Sequence, residues 1–556
     1  MSTVRLIERR EKVANGTGLL QAIPLVIAGL TLMPVVVVAF SLLTPSVDIW
    51  RHLWETILPG MVRNTLMLLL GVGVGTAVLG TGLAWLITAY DFPGRKIFKW
   101  LLVLPMAVPA YIMGFIYIAI FDFAGPVQTL VRDAGWQIAF PEIRSGAGVI
   151  IVMTLVLYPY VYLLAKAGFE EQSRSAHEAA KMLGAGDWRL FFRIAGPLAR
   201  PSIAAGVSLA LMEALADFAT VRYFNFPTVS DGILRVWHGM MDLQAASEIA
   251  GLLAILTLAV LLVERRMRSR RAYHQSKGKV PGVFLSRLSG WRGVLAVGMC
   301  LGVVMAAFGI PAIQLLVWAA KELSILTPGS LEVYVQLGLN SLILASLAAL
   351  VAVLLALVMA GLARLGGGRL LRYATRTANM GYSVPGAVIA VGVLIPLAAF
   401  DRLANQMAQE WFGITLGLIL TGSLVGLIYA YSVRFMAVAY SSVDASMDKI
   451  SPNTVLAARS LGASPYRILH KIKLPLVMPG IMAGAILVFV DVMKELPITV
   501  MLRPFGYDTL AIWVWQMAAE SLWTSTALPA IAIVLVGLLP VKLLLRLGEG
   551  DKREAH

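Results

Sequence analysis

Long apolar runs separated by short polar segments dominate the chain. A helix needs about 20 apolar residues to cross roughly 30 Å of hydrocarbon. Twelve stretches qualify, at about 19–43, 62–89, 98–121, 147–168, 198–221, 244–263, 293–319, 338–363, 376–399, 411–433, 477–499 and 524–547. The pattern predicts an all-α polytopic membrane protein of about 12 transmembrane helices. The first run is long and has no small-residue cleavage site, so it is expected to stay as an anchor rather than leave as a signal peptide. Six spans in each half make the halves parallel repeats about an axis along the membrane normal.

The best-preserved part of the repeat is polar. At an offset of half the 556 residues, segments 175–206 and 453–484 agree at thirteen of thirty-two positions, among them Ala179/Ala457, Ala180/Ala458, Gly184/Gly462, Pro197/Pro475 and Gly206/Gly484. Apolar spans drift into similarity through composition alone. A polar segment shared in register needs another reason, and docking to a partner is the natural one. Outside this segment, Arg63-Asn64-Thr65-Leu66 and Leu339-Asn340-Ser341-Leu342 open the second and eighth spans, while Val108-Pro109 and Val384-Pro385 fall in the third and ninth. Proline within a span predicts a kink.

Each copy of the polar segment reads as a short helix, a turn and a second helix. In the first, Ser175 is the expected N-cap, with Glu178 reaching back to it in a capping box. Gly184 ends that helix in a left-handed conformation, and a second helix starts near Asp187, whose charge suits a helix N-terminus. In the second copy Asn453 is the expected cap, Gly462 the terminator, and Ser464-Pro465 the start of the next helix.

Composition and charge agree with a membrane protein. The chain is 59% hydrophobic, with a mean hydropathy of +0.80. Most of its 46 Lys+Arg fall on the side that holds both termini and both polar repeats, and the opposite side is net acidic. The positive-inside rule makes the basic side, with both termini, cytoplasmic. The basic loops account for the pI without nucleic acid as a partner. The basic tract from Glu264 to Arg271 is expected to lie on anionic lipid. The lone Cys300 excludes an internal disulfide, the six histidines lack metal-ligand spacing, and no Gly-x-x-x-x-Gly-Lys-Ser/Thr phosphate loop occurs. The linker at about 264–292, with Lys277-Gly278-Lys279 and Pro281-Gly282, is expected to be mobile.

The repeated segment resembles the EAA loop of ATP-binding-cassette importer permeases: Glu-Ala-Ala, three residues, Gly, nine residues, Ile-x-Leu-Pro. The matches are Glu178, Ala179, Ala180, Gly184, Ile194 and Pro197 in one copy, and Ala457, Ala458, Gly462, Ile472, Leu474 and Pro475 in the other. Gly196 replaces the usual leucine, and Leu456 replaces the glutamate. The stretches Glu213–Val221 and Lys494–Leu510 are similar to the fused two-domain ferric iron permeases of the binding-protein-dependent type. That resemblance implies a type I importer permease with no resident metal or cofactor. Two copies of an ATPase subunit using ATP and Mg would dock on the two loops, and a periplasmic or extracellular binding protein would deliver the cargo. It implies a multi-pass protein of the bacterial inner membrane and places the domains as follows. Residues 1–60 hold the tail, first span and external loop; 61–264 the first permease domain; 265–292 the basic linker. Residues 293–335 hold the seventh span and an external loop, 336–547 the second permease domain, and 548–556 a cytoplasmic tail. Thiamine, polyamine and phosphonate permeases are relatives and stay open as cargo alternatives. A secondary transporter also has twelve helices in two halves, but does not need two matching cytoplasmic loops.

The repeat also pairs four acidic groups. Glu213 and Asp217 lie four apart at the end of the fifth span and align with Asp491 and Glu495 in the eleventh. Four apart on a helix is one face, so the repeat axis is expected to gather four carboxylates in the substrate pathway. Ferric ion is hard and takes oxygen ligands. Lys494 and Arg222 lie close enough in sequence to neutralise these groups as packing ion pairs instead.

Overall fold

A chain in hydrocarbon must satisfy its backbone polar groups internally, so the apolar runs fold as helices. The computed structural model describes residues 2–136, 138–172, 180, 182–184, 186–269, 285–364, 369–379 and 381–553. Among these, twelve helices are long and apolar enough to span a membrane, from Ala22–Ser41 to Trp523–Lys542.

The third and ninth spans begin later than hydropathy placed them. Pro109 and Pro385 are not kinks but N-cap residues, heading the helices Ala110–Phe121 and Gly386–Phe412. A 3-10 turn precedes each proline, at Leu104–Ala107 and Gly381–Ser383. Proline drives the residue before it out of helical geometry, and Val108 accordingly has φ −98 and ψ 116. The tenth span is Leu424–Asp448 rather than 411–433. The apolar stretch before it is a loop with positive φ at Gly413, Gly417 and Gly422. Its backbone is held from the ninth span: the Asp401 carboxylate accepts from Leu420 N at 2.9 Å and Thr421 N at 2.8 Å, and Asn405 Oδ1 from Leu416 N at 2.8 Å.

The helices gather into two compact units, and neither is one half of the sequence. One unit comprises Met1–Pro45 with Val335–Thr509; the other comprises Ser46–Tyr334 with Leu510–His556. The segment 61–264 falls whole within the second unit, whereas 336–547 is divided after Thr509. In the first unit the first span packs on the ninth so closely that a β-carbon at Gly392 would lie 2.3 Å from Pro34 O. In the second, the seventh span packs on the twelfth, with Trp318 and Trp523 rings 6.4 Å apart and nearly parallel.

Within each unit the repeat is visible atom by atom. Ser145 and Ser423 cap the fourth and tenth spans, accepting from Gly148 N at 3.3 Å and Gly426 N at 3.2 Å. A β-carbon on Gly206 would lie 2.7 Å from Val161 Cα; on Gly484 it would lie 3.2 Å from Ala439 Cα. The glycines are equivalent, and so are the residues they meet. This close approach of helix backbones is what small residues permit in membranes.

The linker is anchored at its far end. Ser286–Arg287 pairs in parallel with Tyr90–Asp91, and Leu288 N donates to Asp91 O at 2.8 Å. The expected mobility of the whole linker does not hold for this part.

Candidate functional site

The second polar repeat folds as a helix, a glycine turn and a second helix, and the described residues of the first repeat match it at the turn and beyond. In the second copy the helix Pro452–Ser460 is capped by Ser451, whose Oγ accepts from Asn453 N at 3.3 Å. Asn453, the expected cap, is instead inside the helix, because Pro452 takes its first position. Gly462 has φ +75. Its N–H donates to Arg459 O at 2.9 Å, and Ala463 N donates to Ala458 O at 3.0 Å. This pair of bonds is the Schellman termination that a left-handed glycine allows. Ser464 Oγ then accepts from Arg467 N at 3.3 Å and starts the next helix at Pro465.

In the first copy Gly184 has φ +79, and the second helix starts at Asp187. Glu178, Ala179 and the cap Ser175 lie outside the described residues. Ala180 and its counterpart Ala458 are buried, while Ala457 is exposed. The leucine before each glycine stands in the open: Leu183 and Leu461 are both 88% exposed.

Each hairpin enters its span through a π turn, Phe191–Ala195 or Leu469–Lys473. The two are equivalent in the repeat. A third π turn, Met305–Gly309, opens within the seventh span. All three end two residues before a proline: Pro197, Pro475 and Pro311. Proline offers no N–H to the preceding turn and its ring crowds the carbonyl four residues back, so the helix widens there. In the second unit Gln172 Nε2 donates to Ala195 O at 2.9 Å, and Phe191 packs on Trp85 at 5.4 Å. A cavity of about 870 Å³ behind this turn is lined by Phe192, Pro197, Arg200, Ser208, Val260 and Glu264, among others.

The four carboxylates are used differently from the sequence expectation. The fifth span ends at Ala216, and Asp217 follows as its C-cap with ψ 118. Asp217 therefore leaves the helix face of Glu213. Its Oδ1 accepts from Thr220 N at 2.7 Å and its Oδ2 from Thr220 Oγ1 at 2.6 Å, capping the short helix Ala219–Tyr223. The eleventh span likewise ends at Met493, two residues before Glu495. The Glu495 carboxylate accepts from Ile498 N at 3.0 Å and from Thr499 Oγ1 at 3.0 Å, capping Pro497–Leu502. Glu495 is buried. Asp491 pairs with Lys494 at 3.0 Å, and Glu213 is half-buried. Among the described residues, no group of three or more His, Cys, Asp or Glu side chains is placed to hold a metal ion. The two members of each pair do not share a helix face as expected: the chain breaks its helix between them, at Ala216 and at Met493, and turns one of each pair toward the amides of the next short helix.

Sequence reasoning missed what secures these breaks. Asn64 Nδ2 donates to Pro227 O at 2.9 Å, and its counterpart Asn340 Nδ2 donates to Asp508 O at 3.0 Å. Thr65 Oγ1 adds a bond from Val229 N at 3.0 Å. The shared Asn-Thr and Asn-Ser pairs at the openings of the second and eighth spans were the available signal.

Comparison with known proteins matches the same regions. The family model described as "Binding-protein-dependent transport system inner membrane component" matches residues 77–268 and 352–550. The Fe(3+)-transport system permease protein FbpB 2 of Haemophilus influenzae is 27% identical over 504 residues, 90% of this chain and 92% of that protein. The sulfate transport system permease protein CysT of Escherichia coli is 26% identical over 40% of this chain and 82% of its own. CysW of the same organism is 30% identical over 33% and 66%.

Proposed function

The chain belongs to the family of binding-protein-dependent transport system inner membrane components, and from that membership we propose that it imports ferric iron with energy from a separate ATPase. It is a multi-pass permease subunit of an ATP-binding-cassette importer of the inner membrane. The ATPase is proposed to bind as two copies, one at each hairpin, using ATP and Mg. A binding protein hands over the cargo on the opposite face, and both termini are cytoplasmic.

The carrying observation is the equivalence of Leu183 and Leu461. Each is a large apolar side chain held in the open beside a positive-φ glycine, at the same point of both repeats. Two matching sites suit two copies of one partner. Glu178 with Ala179 and Ala180, and Ala457 with Ala458, supply the flanking helix in this reading.

Ferric iron as cargo is supported by the reach of the Haemophilus relative, which runs through both halves of this chain. The sulfate permeases match less than half of it, and sulfate is the second reading they favour. The test is uptake of radiolabelled ferric iron and of sulfate by proteoliposomes holding the permease and its ATPase. Iron uptake that sulfate does not compete supports the proposal. Sulfate uptake without iron uptake replaces the cargo. ATP hydrolysis unaffected by Leu183→Asp and Leu461→Asp removes the hairpins as the coupling sites.

A further inference from the structure

Arg434 lies near the middle of the tenth span, Leu424–Asp448. It is 8% exposed, and its Nε and Nη1 are buried without a hydrogen-bond partner. A charged side chain within a span is costly and by default marks function. The contact at its side is with the ring of Phe435, 5.5 Å from the guanidinium carbon.

Three features of the first unit converge on this group. Gly386 opens the 27-residue helix Gly386–Phe412, whose N-terminus carries about half a positive charge. A β-carbon on Gly386 would lie 2.5 Å from Arg434 Nη1 and 2.8 Å from Glu495 Oε1. The guanidinium and the carboxylate thus flank one point at the helix start. Glu495 already accepts from Ile498 N, Thr499 N and Thr499 Oγ1. Neither of the two open guanidinium nitrogens, Nε and Nη1, donates to it. One carboxylate faces a full positive charge plus the helix terminus, so the site carries a positive excess and unused N–H groups.

The repeat supplies an internal control. The position equivalent to Arg434 is Val156, and the position equivalent to Gly386 is Ala110. Where the arginine is absent, the glycine that makes room for it is absent too.

We propose that Arg434 and the N-terminus of the Gly386–Phe412 helix form a binding site for an oxyanion, bordered by Glu495. A guanidinium fork matches the paired oxygens of sulfate, phosphate or a carboxylate. Gly386 lets the anion and the guanidinium reach the helix terminus. The site belongs to one repeat alone and goes beyond the import reading, since it can be measured on the permease without its ATPase or its cargo.

The test is calorimetric titration of the full-length permease in lipid-free detergent with sulfate, phosphate and citrate at constant ionic strength. Saturable binding of at least one is expected. Arg434→Gln should weaken it about ten- to a hundredfold, the worth of a charge-assisted pair of hydrogen bonds. Glu495→Gln should tighten it, because it removes the competing negative charge. A simple buried ion pair predicts no such gain. If Arg434→Gln does not fold, Arg434→Lys, which keeps the charge and loses the fork, should still weaken binding. Binding that occurs only after phosphatidylglycerol is added identifies a lipid phosphate as the oxyanion. No saturable binding in either medium, undiminished binding in the Arg434 variants, or no tightening in Glu495→Gln would overturn the proposal.

Discussion

The side chain of Asn340 donates to the carbonyl of Asp508 at 3.0 Å, tying the opening of the eighth span to the loop beyond the eleventh. Tyr507 returns the contact, its hydroxyl donating to Asn340 O at 3.1 Å. Asn64 makes the equivalent bond to Pro227 in the other unit. Each asparagine holds the loop that follows the short helix beyond a broken span. Because Asn340 is buried, Asn340→Leu should leave the Asp508 carbonyl unpaired and cost about 1–3 kcal/mol. Thermal unfolding in detergent measures it, and an unchanged midpoint would dismiss the clamp.

The hairpin glycines separate folding from coupling. Gly184 and Gly462 have open space around them, so a larger side chain meets strain only through the positive φ, roughly 1–2 kcal/mol. Gly184→Val and Gly462→Val should leave the membrane fold intact by circular dichroism yet reduce co-purification of the ATPase. Full retention of the ATPase by both variants would count against the hairpins as its docking sites.

The repeated glycine contacts predict an asymmetry in stability. A methyl group at Gly206 would meet backbone at 2.7 Å, and at Gly484 at 3.2 Å. Gly206→Ala should therefore destabilise by about 1–3 kcal/mol, and Gly484→Ala by clearly less. Paired melting curves decide the order, and equal losses would show that the helices adjust freely.

Asp217 distinguishes a cap from a metal ligand. Asparagine caps a helix nearly as well as aspartate, whereas alanine costs about 0.5–2 kcal/mol. Asp217→Asn should retain both stability and uptake, and Asp217→Ala should lower the melting point. Loss of iron uptake in a stable Asp217→Asn protein would assign Asp217 to the substrate pathway.

The number of spans, the duplication and the glycine turns of the polar repeats were legible because each follows from local or compositional necessity. A membrane span demands length and apolarity. A chain reversal after a short helix demands a residue tolerant of positive φ, as at Gly184 and Gly462. Span boundaries were less legible. Residues 413–423 read as part of a span, but Asp401 and Asn405 capture their backbone as a loop. Hydropathy does not register a carboxylate reaching across to two amides. The carboxylate pairs misled for a related reason: spacing of four implies one face only while the helix lasts, and at Ala216 and Met493 it stops.

What the sequence by itself determined is the class of protein, its internal repeat and the exposed glycine turn of each polar copy, all carried by short-range pattern. Tertiary structure alone decided that each compact unit takes segments from both halves of the chain. It alone brought Gly386, Arg434 and Glu495 to one point. These residues are far apart in sequence, and no periodicity links them. Their meeting depends on which helices pack together, and that is settled by side-chain fit among spans whose apolar composition is everywhere alike.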